Sequence, residues 1–370
     1  MLWPMKNKSI KIEKKDFHRV LLTDLLPYET PIIFSNNHFY NRIKKDRLSH
    51  SFIIELFRAT PDPSIPYTYT ASRGDLGQRE LSVIHPRQQL DLVEFYNDYY
   101  SMILDRCSLS SFSLRSPTKV ASRFYERPLL KDLDELISDE VDFQENGRSP
   151  QSKYATSFFT YRKYNRLFQF FDSNEFLEIE KKYSRYLSLD VSKCFYNIYT
   201  HSVAWAVKEK NFSKNHRMTS SFENRFDELM RNCNFGETNG ILVGPEISRI
   251  FSEIIFQRID ANVKGRLTEN YNLHSEEDFV VRRYIDDIYI FSNNQSAEDT
   301  VKDQYEVELS KYKLYLNQAK HVNLQRPFYT NISSAKDSLF VKSDAFFDAV
   351  LVKLEPNGNI VRKNAKKDKP

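Results

Sequence analysis

Arg283-Tyr284-Ile285-Asp286-Asp287-Ile288-Tyr289-Ile290 sets two adjacent carboxylates between two apolar runs, Phe279-Val280-Val281 before them and Ile288-Tyr289-Ile290-Phe291 after. Such β-branched and aromatic runs read as strands, and the polar pair between them reads as a tight hairpin turn. Two like charges side by side repel, so Asp-Asp at a hairpin tip serves solubility badly. A cation that needs oxygen ligands removes that objection. The question for the rest of the chain is whether it supplies the other parts of a metal-dependent site.

A third carboxylate stands at Asp190, where the alternating stretch Tyr183-Ser184-Arg185-Tyr186-Leu187-Ser188-Leu189-Asp190 reads as a strand. Val191-Ser192-Lys193-Cys194-Phe195-Tyr196-Asn197-Ile198 leads on to a helical segment around Trp205-Ala206-Val207. A lone Asp at a strand end is ordinarily a helix cap. On a strand neighbouring Asp286-Asp287 it would instead complete an oxygen-rich site for two Mg²⁺, as phosphoryl transfer needs. Between these stretches lies Asn239-Gly240-Ile241-Leu242-Val243-Gly244-Pro245-Glu246-Ile247-Ser248-Arg249-Ile250-Phe251. Gly240 and Gly244 let backbone approach a ligand, Pro245 suits the first helical position, and Ile247, Ile250, Phe251, Ile254 and Ile255 predict a helix with one apolar face.

Upstream, residues 67–86 read as strand, turn, strand, with Arg73 and Arg79 beside a Gly-containing turn. Guanidinium forks match phosphate oxygens, so such a hairpin is able to hold a triphosphate; the plainer reading is two surface arginines. Leu90, Leu92, Val93, Phe95, Tyr96, Tyr99, Tyr100 and Ile103 recur at helical spacing. A run mixing Tyr154, Phe158, Phe159, Tyr161, Arg162, Lys163, Tyr164, Arg166, Phe168, Phe170 and Phe171 suits a nucleic-acid strand, rings stacking bases and cations meeting phosphates. The alternative, preferred for most of the Phe residues, is an amphipathic helix with its rings in the core. Residues 132–147 are acidic and loop-like. Beyond the hairpin, 297–312 reads as a polar surface helix. Leu314-Tyr315-Leu316-Asn317-Gln318-Ala319-Lys320 then leads to a short strand at Val322-Asn323-Leu324, with Lys320 either a solvated turn residue or a group that reaches pyrophosphate. Residues 362–369 form a charged tail.

With 370 residues the chain has room for two or three subdomains. The net charge is only +4, but Lys and Arg outnumber Asp and Glu across residues 1–50, where a solvated segment and a nucleic-acid contact surface are equally good readings. Cys107, Cys194 and Cys233 show neither pairing nor metal-ligand spacing, which predicts a reduced, cytoplasmic setting. No apolar run approaches membrane-spanning length and no signal-peptide pattern opens the chain, so no membrane partner is expected.

In combination and in order, these segments resemble reverse transcriptases over about residues 67–330. Tyr284-Ile285-Asp286-Asp287 is similar to the family's Tyr-x-Asp-Asp signature, and Asp190 with Phe195 five residues on resembles its first palm motif. Gly240 to Ser248 resembles a Gly-x-x-x-Gly-x-x-x-Ser motif, and Leu316-Asn317-x-x-Lys320 the segment after the catalytic hairpin. Phe158-Phe159-Thr160-Tyr161, the stretch from Ile198 to Ala206 and Val243-Gly244-Pro245-Glu246-Ile247-Ser248-Arg249 look most like bacterial defence-associated and abortive-infection members. Retrons, retroviruses and group II introns usually have Pro-Gln where this chain has Leu242-Val243.

The resemblance implies an α+β right-hand polymerase with fingers and an antiparallel palm sheet backed by helices, the thumb being short or missing. A basic N-terminal segment would span 1–66, fingers 67–182, palm 183–330, and a primer-grip-like segment with a basic tail 331–370. It implies a DNA polymerase of the reverse transcriptase type acting in antiphage defence. Asp190, Asp286, Asp287 and the carbonyl of Val191 would hold two Mg²⁺, with Mn²⁺ as substitute. Arg73, Arg79 and Gly244 would contact the nucleotide, Phe195 would exclude a 2′-hydroxyl, and Lys320 would protonate pyrophosphate. Implied partners are dNTPs, an RNA or DNA primer–template, and a second reverse transcriptase or other subunit in place of the thumb. Two alternatives remain: a retron- or intron-type enzyme, and a silent RNA-binding palm scaffold.

Overall fold

The computed structural model describes residues 8–31, 33–45, 55, 62–72, 77–126, 157–208, 210, 221–329, 331–350, 353–354 and 360–361. Arg73, Tyr154, the acidic 132–147 stretch and the 362–369 tail lie outside the described residues. The strands that matter here are, in chain order, β1 (Lys8–Lys11), β2 (Tyr67–Ser72), β3 (Gln78–Val83), β4 (Pro117–Val120), β5 (Arg123–Glu126), β6 (Phe159–Tyr161), β7 (Arg185–Asp190), β8 (Phe279–Tyr284), β9 (Asp287–Ser292) and β10 (Val322–Gln325). β1 pairs with β5, β2 with β3 and β4 with β6, each antiparallel. The remaining four form one antiparallel sheet in the order β10-β7-β9-β8.

The apolar run that follows Asp287 explains how this sheet is covered. Ile288, Tyr289, Ile290 and Phe291 are all buried, so β9 is covered on both faces, unlike a strand with one wet side. One face carries Leu187, Leu189, Phe279, Val281, Ile288 and Ile290 into the main core against the helix Glu246–Tyr271. The other carries Tyr186, Val280, Tyr289 and Phe291 into a second, aromatic core with Phe170, Phe176, Ile179, Tyr183 and Phe328. Cross-strand pairs of this kind are the unit of sheet stability, and Tyr186 stacks on Tyr289 at 6.2 Å between ring centroids.

The helix Glu246–Tyr271 is buried on most sides in its first four turns, as its near-continuous Ile and Phe content requires. Pro245 is its N-cap and Glu246 its first residue, one position later than the sequence predicts for the proline. The helix expected from Leu90 to Ile103 is Pro86–Arg106, and the one expected at 297–312 is Gln295–Lys311, which buries Val301, Tyr305 and Leu309 in the main core beneath its polar face. Phe158, Phe159 and Phe170 are core residues, as the packing reading expects, but Phe159 lies on β6 and not on an amphipathic helix, the helix being confined to Leu167–Phe171, while Phe168 stays exposed beside the exposed Arg162, Lys163 and Arg166.

Neither reading of residues 1–50 describes 19–25. Val20, Leu21 and Leu25 are fully buried in the main core, and the Arg19 guanidinium donates to the carbonyls of Ala121 (3.1 Å) and Phe158 (2.9 Å) while lying over the Phe158 ring. Asp24 accepts from the Phe158 N–H and the Tyr96 hydroxyl, and its backbone carbonyl accepts from the N–H of Glu246 at 2.8 Å. The N-terminal segment thus ties β6, the Pro86–Arg106 helix and the start of the long helix together. In the 331–370 region, Asn331–Val350 is a helix with Leu339, Phe340 and Val341 exposed. Among the described residues no helix is long and apolar enough to cross a membrane.

Candidate active site

Antiparallel register brings the predicted carboxylates together. Asp190, the last residue of β7, is the cross-strand partner of Asp287, the first of β9, and Tyr284 closes the pair from β8. The hairpin loop is therefore Ile285-Asp286, with Asp287 already in the strand. Ile285 has φ +59°, the positive first position of a tight turn between twisted strands. A β-branched residue in that region is strained, at a cost of about 1–2 kcal/mol, so neighbouring contacts must hold it there. Asp190 caps no helix: the short helix Cys194–Asn197 has Lys193 at its N-cap, itself at φ +45°.

Burial and mutual repulsion act in one direction on this cluster. Burial raises the pKa of Asp287 to about 7, the charges of Asp286 and Asp190 add to the rise, and Lys320 opposes it. Asp286 is also raised, by burial first and by Asp190. Like charges directly opposite across a sheet are destabilising. Lys320 stands beside them, its Nζ 3.0 Å from Asp190 Oδ2, and Asn317 Nδ2 donates to the same oxygen at 3.1 Å. The Asn317 N–H also donates to the Asp190 carbonyl at 2.7 Å, and Val191 bridges to Leu316. The segment after the hairpin thereby lies along the end of β7. Among the described residues no three His, Cys, Asp or Glu side chains are grouped as a ready-made metal cage. The donor set is nevertheless all oxygen and in excess of its local positive charge, which suits a hard divalent cation.

The nucleotide-contact candidates are more dispersed. Phe195 is half-buried against the main core, and its carbonyl accepts from the Ile241 N–H at 2.8 Å. Gly240 has φ +90° and lies so close to Tyr196 that a side chain would press on the Tyr196 carbonyl. Gly244, at φ +121°, faces Pro27 and Leu81, and an added Cβ would stand 2.8 Å from Pro27 Cγ. Its missing side chain makes room for the N-terminal segment, and the Val243 carbonyl accepts from the Ser82 N–H of β3 at 3.0 Å. Arg79, on β3, is paired with Glu29 of that same segment. Arg73 is outside the described residues.

His201 Nδ1 lies 2.8 Å from Asp227 Oδ2. Sequence reasoning missed the buried ion pairs behind the site. Arg115 Nη1 meets Glu246 Oε1 at 2.6 Å beneath the Tyr161 hydroxyl, 131 positions apart in sequence. Arg283 is fully buried between Glu253 and Asp260. Asn317 was visible as part of a motif, but its bond to Asp190 was not.

Residues 119–331 match the family model described as "Reverse transcriptase (RNA-dependent DNA polymerase)". The chain belongs to the reverse transcriptase family. The β10-β7-β9-β8 sheet lies within the matched residues and is the antiparallel palm sheet of that family. Similar solved structures include the apo telomerase of Candida tropicalis truncated from its C-terminal domain, at 14% identity and a TM-score of 0.40 over 76% of this chain and 55% of that one. The telomerase of Candida albicans with a TWJ fragment of telomeric RNA matches at 12% identity and a TM-score of 0.39, over 76% and 46%. This reverse transcriptase chain spans about half the length of those proteins. No curated protein matches it.

Proposed function

We propose that the chain transfers deoxynucleotides: the 3′-oxygen of a primer attacks the α-phosphorus of a dNTP, the bond to the bridging oxygen breaks, and pyrophosphate leaves. The observation that carries this reading is the convergence of Asp190, Asp286 and Asp287 at one end of the palm sheet, in a family of RNA-dependent DNA polymerases. Asp190, Asp286, Asp287 and the carbonyl of Val191 would hold two Mg²⁺, or Mn²⁺ in their place. Bound there, the ions supply activation of the 3′-hydroxyl and stabilisation of charge on the triphosphate. Lys320, already at this cluster, is the proton donor to pyrophosphate. Phe195 is the group that disfavours a 2′-hydroxyl, and Arg79, together with Arg73, binds the triphosphate once freed from Glu29.

The template is RNA or DNA held partly by exposed cations such as Arg162 and Arg166. A second subunit fulfils the role of the thumb, and the exposed Leu339, Phe340 and Val341 support such docking. The three buried, unpaired cysteines support a reduced, cytoplasmic setting. Likeness of the motifs at 158–161, 198–206 and 243–249 to abortive-infection members supports a role in antiphage defence; protection from phage that is lost with Asp286→Asn would bear this out. The direct test offers purified chain, Mg²⁺, an RNA-templated DNA primer and either dNTPs or NTPs, alongside sequencing of any nucleic acid that co-purifies. The expected result is DNA product from dNTPs. Failure to incorporate dNTPs on either the supplied or the co-purified nucleic acid would refute the reading.

A further inference from the structure

The residue before the catalytic motif is a charged side chain with no exposure at all, and the polymerase chemistry makes no use of it. Arg283 lies on β8, on the sheet face opposite Asp190 and Asp287, pointing into the main core against the helix Glu246–Tyr271. Its Nε donates to Asp260 Oδ2 at 2.9 Å; Nη1 and Nη2 reach the two oxygens of Glu253 at 2.8 and 3.1 Å. The guanidinium also lies over the Phe256 ring. Asp260 and Glu253 are fixed in turn, by the Tyr305 hydroxyl at 2.9 Å and by Gln257 Nε2 at 2.8 Å. Arg283 Nη1 also donates to the carbonyl of Ile285 at 2.9 Å.

That carbonyl belongs to the strained residue of the catalytic turn. Ile285 at φ +59° has no glycine's freedom, and such a conformation persists only where the surroundings over-determine it. The strand that leads into the turn is fixed as well. The Arg283 N–H donates to the Phe112 carbonyl, the Leu114 N–H donates to the Arg283 carbonyl (each 2.8 Å), and the Tyr284 hydroxyl donates to the Asn165 carbonyl. We propose that Arg283, anchored by Glu253 and Asp260, is a positioning residue that holds the Ile285 carbonyl and so sets where Asp286 and Asp287 stand for metal binding. This rests on the metal-dependent reading above. Arg283 touches neither nucleotide nor metal; it acts through the turn, as outer-shell groups orient metal ligands elsewhere.

Arg283→Lys keeps the charge but loses the fork that serves Glu253, Asp260 and Ile285 together. Glu253→Gln keeps the shape and one acceptor, and serves if the lysine variant does not fold. Mn²⁺ binding is measured by the electron paramagnetic resonance of free Mn²⁺ per folded molecule, with folding checked by circular dichroism. Mg²⁺-dependent dNTP incorporation and primer–template affinity are measured in parallel. The expected result for Arg283→Lys is Mn²⁺ affinity and turnover each lower by roughly 10–100-fold, with unchanged primer–template affinity. For Glu253→Gln we expect a smaller loss of the same pattern. A residue that only stabilises the core would reduce the folded fraction and leave Mn²⁺ affinity per folded molecule as in the wild type, and that outcome overturns the proposal. Wild-type protein that binds Mn²⁺ without incorporating dNTPs would sink the polymerase reading alone, and the Mn²⁺ comparison would still decide on Arg283. Wild-type protein that binds no Mn²⁺ would overturn both.

Discussion

Asp287 sits across the sheet from Asp190 and beside Asp286, so the metal-free protein carries repulsion that a divalent cation would relieve. Its pKa, about 7 in the folded chain, is above the ordinary carboxylate value, so the folded state binds the proton more tightly than the unfolded one. Stability from this group is therefore fully present at acid pH and is lost as pH rises through about 7. Two outcomes follow in thermal melts. Mg²⁺ should raise the melting temperature more at pH 8 than at pH 5.5, and Asp287→Asn without metal should melt higher than the wild type at pH 8, with the gap closing on acidification. An equal Mg²⁺ effect at both pH values would contradict the cluster's electrostatics. For Phe195→Ala the expected outcome is a fall of roughly tenfold in discrimination between dNTPs and NTPs, read as the ratio of kcat/KM values. The ring packs on the core from a helix of four residues, so a small loss of stability should accompany it.

At the scale of elements, the two glycines of the Gly240–Gly244 segment each let two stretches of chain pack closely. Gly244 lets Pro27 close against the start of the long helix, while β3 hydrogen-bonds to Val243, so β3, the N-terminal segment and the approach to the long helix meet at one backbone position. Gly244→Ala should lower unfolding free energy by about 1–3 kcal/mol in urea titration, from the positive φ and the Pro27 contact together. The strands of the palm were legible in the sequence because alternation and apolar runs have a period, and so was the helix after Pro245. The carboxylate cluster was legible because adjacent aspartates between apolar strands are electrostatically costly without a counter-charge. The buried Arg19, Arg115 and Arg283 were not legible. A lone arginine carries no local sign of burial, and partners such as Glu246 lie more than a hundred positions away. For the same reason the contact of Glu29 with Arg79 and that of Asn317 with Asp190 became visible only in three dimensions.

Across the whole molecule, the N-terminal segment, the long helix and the palm share one core, with the carboxylate site at the edge of the sheet that this core supports. Removing residues 1–36 would strip Val20, Leu21, Leu25 and Asp24 from that core, so the shortened chain should fail to fold cooperatively, as judged by a lost sigmoidal melt. Arg162 and Arg166, by contrast, are exposed outside it. Their replacement by alanine should leave the melt unchanged while lowering the slope of log affinity for primer–template against log salt by about one per residue. The most direct test of the polymerase account is single-turnover incorporation of a labelled dNTP as Mg²⁺ is titrated, with wild-type protein and Asp286→Asn compared at equal folded concentration. The account predicts saturable, Mg²⁺-dependent extension by the wild type and a rate lower by at least roughly a thousandfold in the variant. Equal extension by the two proteins would contradict it.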